Sequence, residues 1–199
     1  MATATEHSCP CLPSDERLLS RFAAGDRLAL DELFRRYRQP AYRVAFRLLG
    51  NEADALDAVQ EGFVKALTHL RGFEGRSSFK TWLLRVVSNA ALDLGRQRGR
   101  REAVSLDAAD NGDAATSARL LSADEAGKGL ERADLRSVLD LALDSLSEAQ
   151  RQTFVLHADA ELSYREVADA LGISIGTVMS RLFYARQKLR AYLSERTTV

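Results

Sequence analysis

Basic side chains concentrate in two segments, although the whole chain is neutral, with 28 Lys and Arg against 28 Asp and Glu. Residues 76–101 hold seven basic residues and one acidic residue, and residues 176–196 hold five and one. Four polar side chains of the first segment lie on the same predicted helix: Lys80, Arg85, Asn89 and Arg96. Cations bind phosphates and an amide can hydrogen-bond a base edge. The pattern favours nucleic-acid binding, and a solvated basic face is the alternative.

The second basic segment has the pattern of a helix-turn-helix. Ser163 and Glu166 form a capping box that opens a short helix, and Gly172 ends that helix. Ser174 then begins a long helix. Its exposed face carries short hydrogen-bonding groups and cations: Thr177, Ser180, Arg181, Tyr184 and Lys188. These residue types suit insertion into a DNA major groove, although a structural helix with a solvated basic face has the same composition.

Carboxylates gather on one face of an earlier predicted helix, where Asp54, Asp57 and Glu61 recur at intervals of three and four, beside Gln60. They could hold a metal ion, perform acid–base chemistry, form a solvated face or form a docking surface. No His or Cys lies near them in the sequence. We therefore predict no metal site, no cofactor and no enzymatic activity.

The elements that position these residues are predicted to be helices throughout. The chain has only three prolines and twelve glycines and lacks long period-two alternation. In the helix that begins near Phe79, an apolar stripe includes Trp82, which we assign to the core rather than to base stacking. The preceding loop, 72–78, contains two glycines, and Ser77 or Ser78 is predicted to cap the helix.

The sequence divides into two small helical domains. Residues 102–128 lose apolar periodicity, carry more acidic than basic side chains and have the composition of a flexible linker. We predict a tail at 1–13, a first domain at 14–101 and a second at 129–199. The tail contains His7, Cys9 and Cys11, whose role stays open. No segment resembles a signal peptide or membrane span, so a cytoplasmic protein without membrane insertion is expected.

Three stretches of the chain together resemble the extracytoplasmic-function (ECF) group of bacterial RNA polymerase sigma factors. The stretches are DALDAVQEGFVKAL at 54–67, FEGRSSFKTWLLRVVSNAALDLGRQRGRR at 73–101 and LSYREVADALGISIGTVMSRLFYARQKLR at 162–190. They occur in the family's order and are divided by the linker. The resemblance implies that the two domains correspond to sigma regions 2 and 4.

The resemblance also implies a role for each matching position. The polymerase-binding residues would be Asp57, Gln60 and Glu61. The minus-ten promoter element would contact Arg76, Lys80, Arg85, Asn89 and Arg96, and the 72–78 loop would capture a flipped base. The minus-thirty-five element would contact Thr177, Ser180, Arg181, Phe183, Tyr184 and Lys188. Met179 and Tyr184 stand where the family often has a basic residue, so they bear on promoter preference.

The function implied is promoter recognition and melting as a subunit of RNA polymerase. The expected partners are core RNA polymerase, promoter DNA and an anti-sigma factor. A stand-alone helix-turn-helix regulator is the first alternative, and it would bind DNA tightly without polymerase, usually as a dimer. A metal-dependent nuclease using Asp54, Asp57 and Glu61 is a weaker alternative, because no second ligand cluster is present in the sequence.

Overall fold

The computed structural model describes residues 13–108 and 138–197, and within these ranges the regular structure is helical, without strands. The all-α prediction is therefore confirmed. The helices are α1 (Asp15–Ala23), α2 (Arg27–Leu49), α3 (Glu52–His69), α4 (Phe79–Ala108), α5 (138–144), α6 (Glu148–Ala158), α7 (Tyr164–Leu171) and α8 (Ile175–Thr197). Residues 1–12 of the predicted tail, with His7, Cys9 and Cys11, and most of the predicted linker lie outside the described residues.

Side-chain caps fix where the helices begin. The hydroxyls of Ser14, Ser147 and Ser163 accept hydrogen bonds from backbone N–H groups of α1, α6 and α7, and the last two belong to complete capping boxes. Of the two serines considered for α4, Ser78 is the cap, with its Oγ 3.1 Å from the Thr81 nitrogen. Each cap satisfies a backbone donor that the helix itself leaves unpaired.

Helix α4 continues to Ala108, through the first seven residues of the predicted linker. The extension follows from helix propagation, because Arg101, Glu102 and Ala103 are good helix formers and each adds one backbone hydrogen bond. Loss of apolar periodicity therefore did not mark the end of the helix. The division into domains at residues 102–128 remains a prediction.

The described residues form two compact units that divide between Arg38 and Gln39. In the first unit, the Asp15 carboxylate accepts hydrogen bonds from the Arg36 guanidinium and the Tyr37 hydroxyl. Burial of the Tyr37 ring, together with that carboxylate, raises the pKa of the phenol. These contacts hold the start of α1 against the middle of α2.

In the second unit, α3 packs closely against α4. Gly62 of α3 makes this possible, because a Cβ atom at this position would lie 2.8 Å from Val87 Cγ2 and 3.0 Å from Val87 Cα. Leu83, Leu84 and Val87 of α4 are fully buried. The absence of a side chain at Gly62 therefore sets the distance between the two helices that carry the acidic and basic faces.

Helices α7 and α8 form the predicted helix-turn-helix. Gly172 ends α7 in the left-handed region, at φ +64°, which favours glycine. The Ser174 hydroxyl accepts a hydrogen bond from the Thr177 N–H at 3.1 Å, as expected for the residue that caps α8. One apolar stripe of α8 is buried, namely Val178, Leu182, Ala185 and Leu189.

Candidate nucleic-acid interface

The polar stripe of α4, which consists of Lys80, Arg85, Asn89 and Arg96, is on the surface of the helix. Arg85, Asn89 and Arg96 are exposed, and Lys80 is half-buried. Arg76 lies in the preceding loop, where it is well exposed and forms an ion pair of 3.1 Å with Glu74. Because the opposite stripe of α4 is buried against α3, the helix can present these groups only on its outer side.

Three aromatic rings anchor the loop before α4. The Phe73 ring centroid is 5.2 Å from that of Trp82 and 6.1 Å from that of Phe79. Trp82 is half-buried and also contacts Phe79, at 5.8 Å. The rings hold the two ends of the loop together, while Gly72, Glu74, Gly75 and Arg76 between them are exposed.

The outer face of α8 is less polar than its sequence suggested. Ser180, Tyr184 and Lys188 are exposed, but Thr177 and Arg181 are half-buried, and the Thr177 hydroxyl is 2.9 Å from that of its cap, Ser174. Large apolar side chains are also exposed on this helix: Ile175, Met179 and Phe183. Phe183 is 63% exposed and its ring packs edge-on against Tyr184 at 5.5 Å. The surface thus combines polar groups with an apolar stripe.

Helix α3 exposes the residues that the sequence singled out for docking. Asp57, Gln60 and Glu61 are all exposed, and Glu61 pairs with Lys65 at 2.6 Å. Leu56, Val64 and Leu67 are also exposed, so the face has an apolar part. Sequence reasoning missed this apolar part. Their spacing, with Gln60 between them, was the available signal.

Asp54 has a different environment from Asp57 and Glu61. Its carboxylate accepts hydrogen bonds from Asn51 at 2.7 Å and from Arg98 at 2.8 Å, and both partners lower its pKa, Asn51 most strongly. Asp54 therefore links α3 to the basic end of α4. In the described parts of the chain, no group of three His, Cys, Asp or Glu side chains is arranged to hold a metal ion.

Two residues of the polar stripe contact the second half of the chain. Gln152 of α6 donates a hydrogen bond from Nε2 to Asn89 Oδ1 at 3.1 Å, and Glu148 forms an ion pair with Arg96. Glu166 accepts hydrogen bonds from Ser163 and from Thr81. Among the described residues, it forms no ion pair with Arg181. Nothing in the sequence pattern predicts the contacts that Asn89, Arg96 and Thr81 make with the second half of the chain.

The fold is that of an all-α protein with a helix-turn-helix in the second half of the described residues. A family model described as "Sigma-70 region 2" matches residues 33–101, and "Sigma-70, region 4" matches residues 136–189. None of the described helices is long and apolar enough to cross a membrane.

Comparison of the sequence with known proteins identifies the group of sigma factors to which the chain belongs. The chain is 35% identical over 192 residues to the ECF RNA polymerase sigma factor SigE of Mycolicibacterium smegmatis, covering 94% of this chain and 72% of the relative. It is 31% identical over 182 residues to the RNA polymerase sigma-H factor of Pseudomonas aeruginosa, covering 88% and 91%. The chain belongs to the ECF group of RNA polymerase sigma factors.

A solved structure agrees with this assignment. The sigma factor RpoE from Bartonella quintana, crystallised with the anti-sigma factor NepR, has 27% sequence identity to this chain and a TM-score of 0.62. The match covers 83% of this chain and 96% of that one.

Proposed function

We propose that this sigma factor directs core RNA polymerase to promoters by placing α4 on the minus-ten element and α8 on the minus-thirty-five element. The observation that carries this proposal is the exposed stripe of Arg85, Asn89 and Arg96 beside a loop held by aromatic rings. Such a surface suits a melted strand, because cations track the backbone while a loop pocket holds an unstacked base. Arg76 and Lys80 add positive charge at the start of the stripe.

The proposed contact with the minus-thirty-five element uses the exposed side of α8. Ser180 and Arg181 lie in the first two turns of the helix, where a recognition helix meets base edges and phosphates. Thr177, Phe183, Tyr184 and Lys188 complete the proposed surface. The apolar Met179 and Phe183 supply contact with thymine methyl groups rather than phosphate binding.

The proposed polymerase-binding face is the outer side of α3. Its exposed Leu56, Val64 and Leu67 give apolar contact area, and Asp57, Gln60 and Glu61 give polar contacts that set orientation. Three large apolar side chains exposed on one helix are typical of a surface that a partner protein covers.

Replacing Asp57 and Glu61 together by alanine should weaken binding to core polymerase by tenfold or more in a pull-down titration, on the order of 1–3 kcal/mol for two charged interface contacts. The Glu61–Lys65 pair is exposed, so the fold should lose little stability in a thermal melt. The control is Glu52→Ala, which removes an exposed carboxylate at the start of the same helix. Unchanged polymerase affinity in the double variant would remove the docking role from this face.

Replacing Asn89 by alanine should slow open-complex formation more than initial closed binding, because the stripe acts on the melted strand. A premelted template should restore much of the transcription. Permanganate footprinting measures the melting, and Gln97→Ala, an exposed amide on the same helix, is the control. Normal melting by the Asn89→Ala variant would contradict the assignment of this stripe to the minus-ten element.

We also propose that an anti-sigma factor binds this chain, as one does the Bartonella quintana relative. The proposed site of action is the cytoplasm, where the polymerase works, and the chain contributes recognition rather than catalysis.

Run-off transcription from candidate promoters, with core polymerase in the presence and absence of this protein, tests the function directly. Transcripts should appear from specific promoters only when both are present. Tight sequence-specific binding to duplex DNA without polymerase would instead favour a stand-alone regulator. Weak binding is expected for the protein alone, since each basic segment carries few phosphate-binding groups.

A further inference from the structure

The exposed side of α8 carries two parallel rows of side chains. Ile175, Met179 and Phe183 follow one another at intervals of four residues and are 45%, 55% and 63% exposed. A polar row lies beside this apolar row, at the same interval, and consists of the exposed side chains Ser180, Tyr184 and Lys188. Residues four positions apart are neighbours on the surface of a helix. The helix therefore presents an apolar row and a polar row next to each other.

The apolar row is separate from the stripe by which α8 packs into the core. Val178 and Leu182 belong to that stripe and are buried, whereas Met179 and Phe183, one position later in each case, are exposed. The Phe183 ring packs edge-on against Tyr184, with 5.5 Å between the ring centroids, and so joins the two rows. Large apolar side chains that are exposed together on one face mark a surface for binding a partner.

The charge of α8 favours a polyanion as this partner. From Ile175 to Ser194 the helix contains no Asp or Glu, and its basic residues are Arg181, Arg186, Lys188 and Arg190. It is also the second helix of a helix-turn-helix, which is the helix that enters a DNA major groove. The major groove offers phosphates at its rim and one large apolar group on its floor, the C5 methyl group of thymine. DNA therefore complements both rows of side chains.

The length of the apolar row corresponds to a short run of base pairs. Between Ile175 and Phe183 an α-helix rises about 12 Å. This rise equals roughly three to four base-pair steps of about 3.4 Å each. The C5 methyl group that thymine presents in the major groove is also present on 5-methylcytosine, and it is missing from uracil and cytosine. A side chain that contacts this methyl group therefore responds to both methylated bases.

We propose that the apolar row of α8, centred on Met179, recognises C5 methyl groups of pyrimidines in the minus-thirty-five element, so that methylation of a cytosine facing this row strengthens promoter binding. This inference rests on the proposed placement of α8 on that element, and it names the chemical group that is recognised. Affinity then depends on the methyl group itself, whether thymine or 5-methylcytosine supplies it.

Binding of the holoenzyme, formed from core polymerase and the full chain, to duplex promoter fragments tests this proposal at a temperature too low for promoter melting. Single thymines of the minus-thirty-five element are replaced by uracil, which removes one methyl group. At a thymine that faces the apolar row, affinity should fall about threefold to fivefold, the effect of exposing one buried methyl group. Cytosine at that position should bind more weakly than thymine, and 5-methylcytosine should recover part of this loss.

Variants at Met179 identify the side chain that recognises the methyl group. Met179→Ala should remove most of the difference in affinity between the thymine and uracil duplexes. Met179→Arg should also remove it, and should steepen the slope of log affinity against log salt by about 0.9 if the new guanidinium binds one phosphate. The matched control is Leu141→Ala, because Leu141 of α5 is also a large apolar side chain, 44% exposed, and this variant should keep the full difference.

Equal affinity of the parent holoenzyme for thymine and uracil at every position of the element would overturn the proposal. An unchanged thymine–uracil difference in Met179→Ala would also overturn it, since another side chain would then contact the methyl group. Equally weakened binding of both duplexes by Met179→Ala, with the difference kept, would assign Met179 to a contact with a protein instead. Run-off transcription from the unmodified promoter tests the proposed function separately, because it does not require discrimination between methylated and unmethylated bases.

Discussion

Replacing Gly62 by alanine is expected to lower the free energy of unfolding by about 1–3 kcal/mol, the usual cost of an overpacked core position. The new methyl group would meet Val87 Cγ2 at 2.8 Å and the Val87 backbone at 3.0 Å, so α3 must move away from α4. The higher helix propensity of alanine, about 1 kcal/mol, offsets only part of this cost. Urea denaturation measures the stability, and a polymerase pull-down should show weaker binding because α3 carries the proposed docking face.

The matched control is Gly99→Ala in α4, where a Cβ atom has open space around it. This change should raise the free energy of unfolding by up to about 1 kcal/mol through helix propensity alone. The two variants make the same chemical change and are expected to shift stability in opposite directions. If Gly62→Ala were as stable as Gly99→Ala, the close approach of α3 and α4 would be wrong.

Replacing Arg181 and Ser180 together by alanine should reduce transcription from promoters with an upstream element by about tenfold or more. Removing one side chain of a recognition helix from its base or phosphate costs roughly 1–3 kcal/mol of binding free energy. Arg181 makes no ion pair with Glu166 in the described residues, so the melting temperature should change little. Quantitative run-off transcription measures the effect.

Gln187→Ala, a polar exposed residue one to two turns later in α8, is the control for this experiment. Both variants should be compared on the native promoter and on a template with a scrambled upstream element, where the double variant should show no further decrease. Equal decreases on the two templates would mean that Ser180 and Arg181 do not read this element. A lowered melting temperature would assign Arg181 to the fold instead.

Local features of the fold were predictable because they depend on residues close together in sequence. Ser14, Ser147 and Ser163 cap helices through groups three residues away, and Gly172 ends α7 through its own backbone freedom. The exposure of Asp57 and Glu61 likewise follows from helical spacing. The residues that cause each of these features lie within about one turn of helix of it.

Features that depend on distant residues were not predictable from the same patterns. Periodicity shows which side of α3 is apolar, but not that Gly62 brings it within contact of the Val87 backbone. The bonds from Gln152 to Asn89 and from Glu148 to Arg96 join residues more than fifty positions apart. The sequence indicated that Asn89 and Arg96 were available for DNA, because it contains no signal for their contacts with Gln152 and Glu148.

The position of Trp82 gives the protein a built-in optical probe. It is the single tryptophan of the chain, and its half-buried ring contacts Phe73 at the start of the 72–78 loop. Indole emission depends on the polarity around the ring, so any rearrangement that pulls Phe73 away exposes the fluorophore to water. The unlabelled protein thereby reports the state of this loop, and stopped-flow fluorescence can follow it in real time, against a polymerase background subtracted with a Trp82→Phe variant.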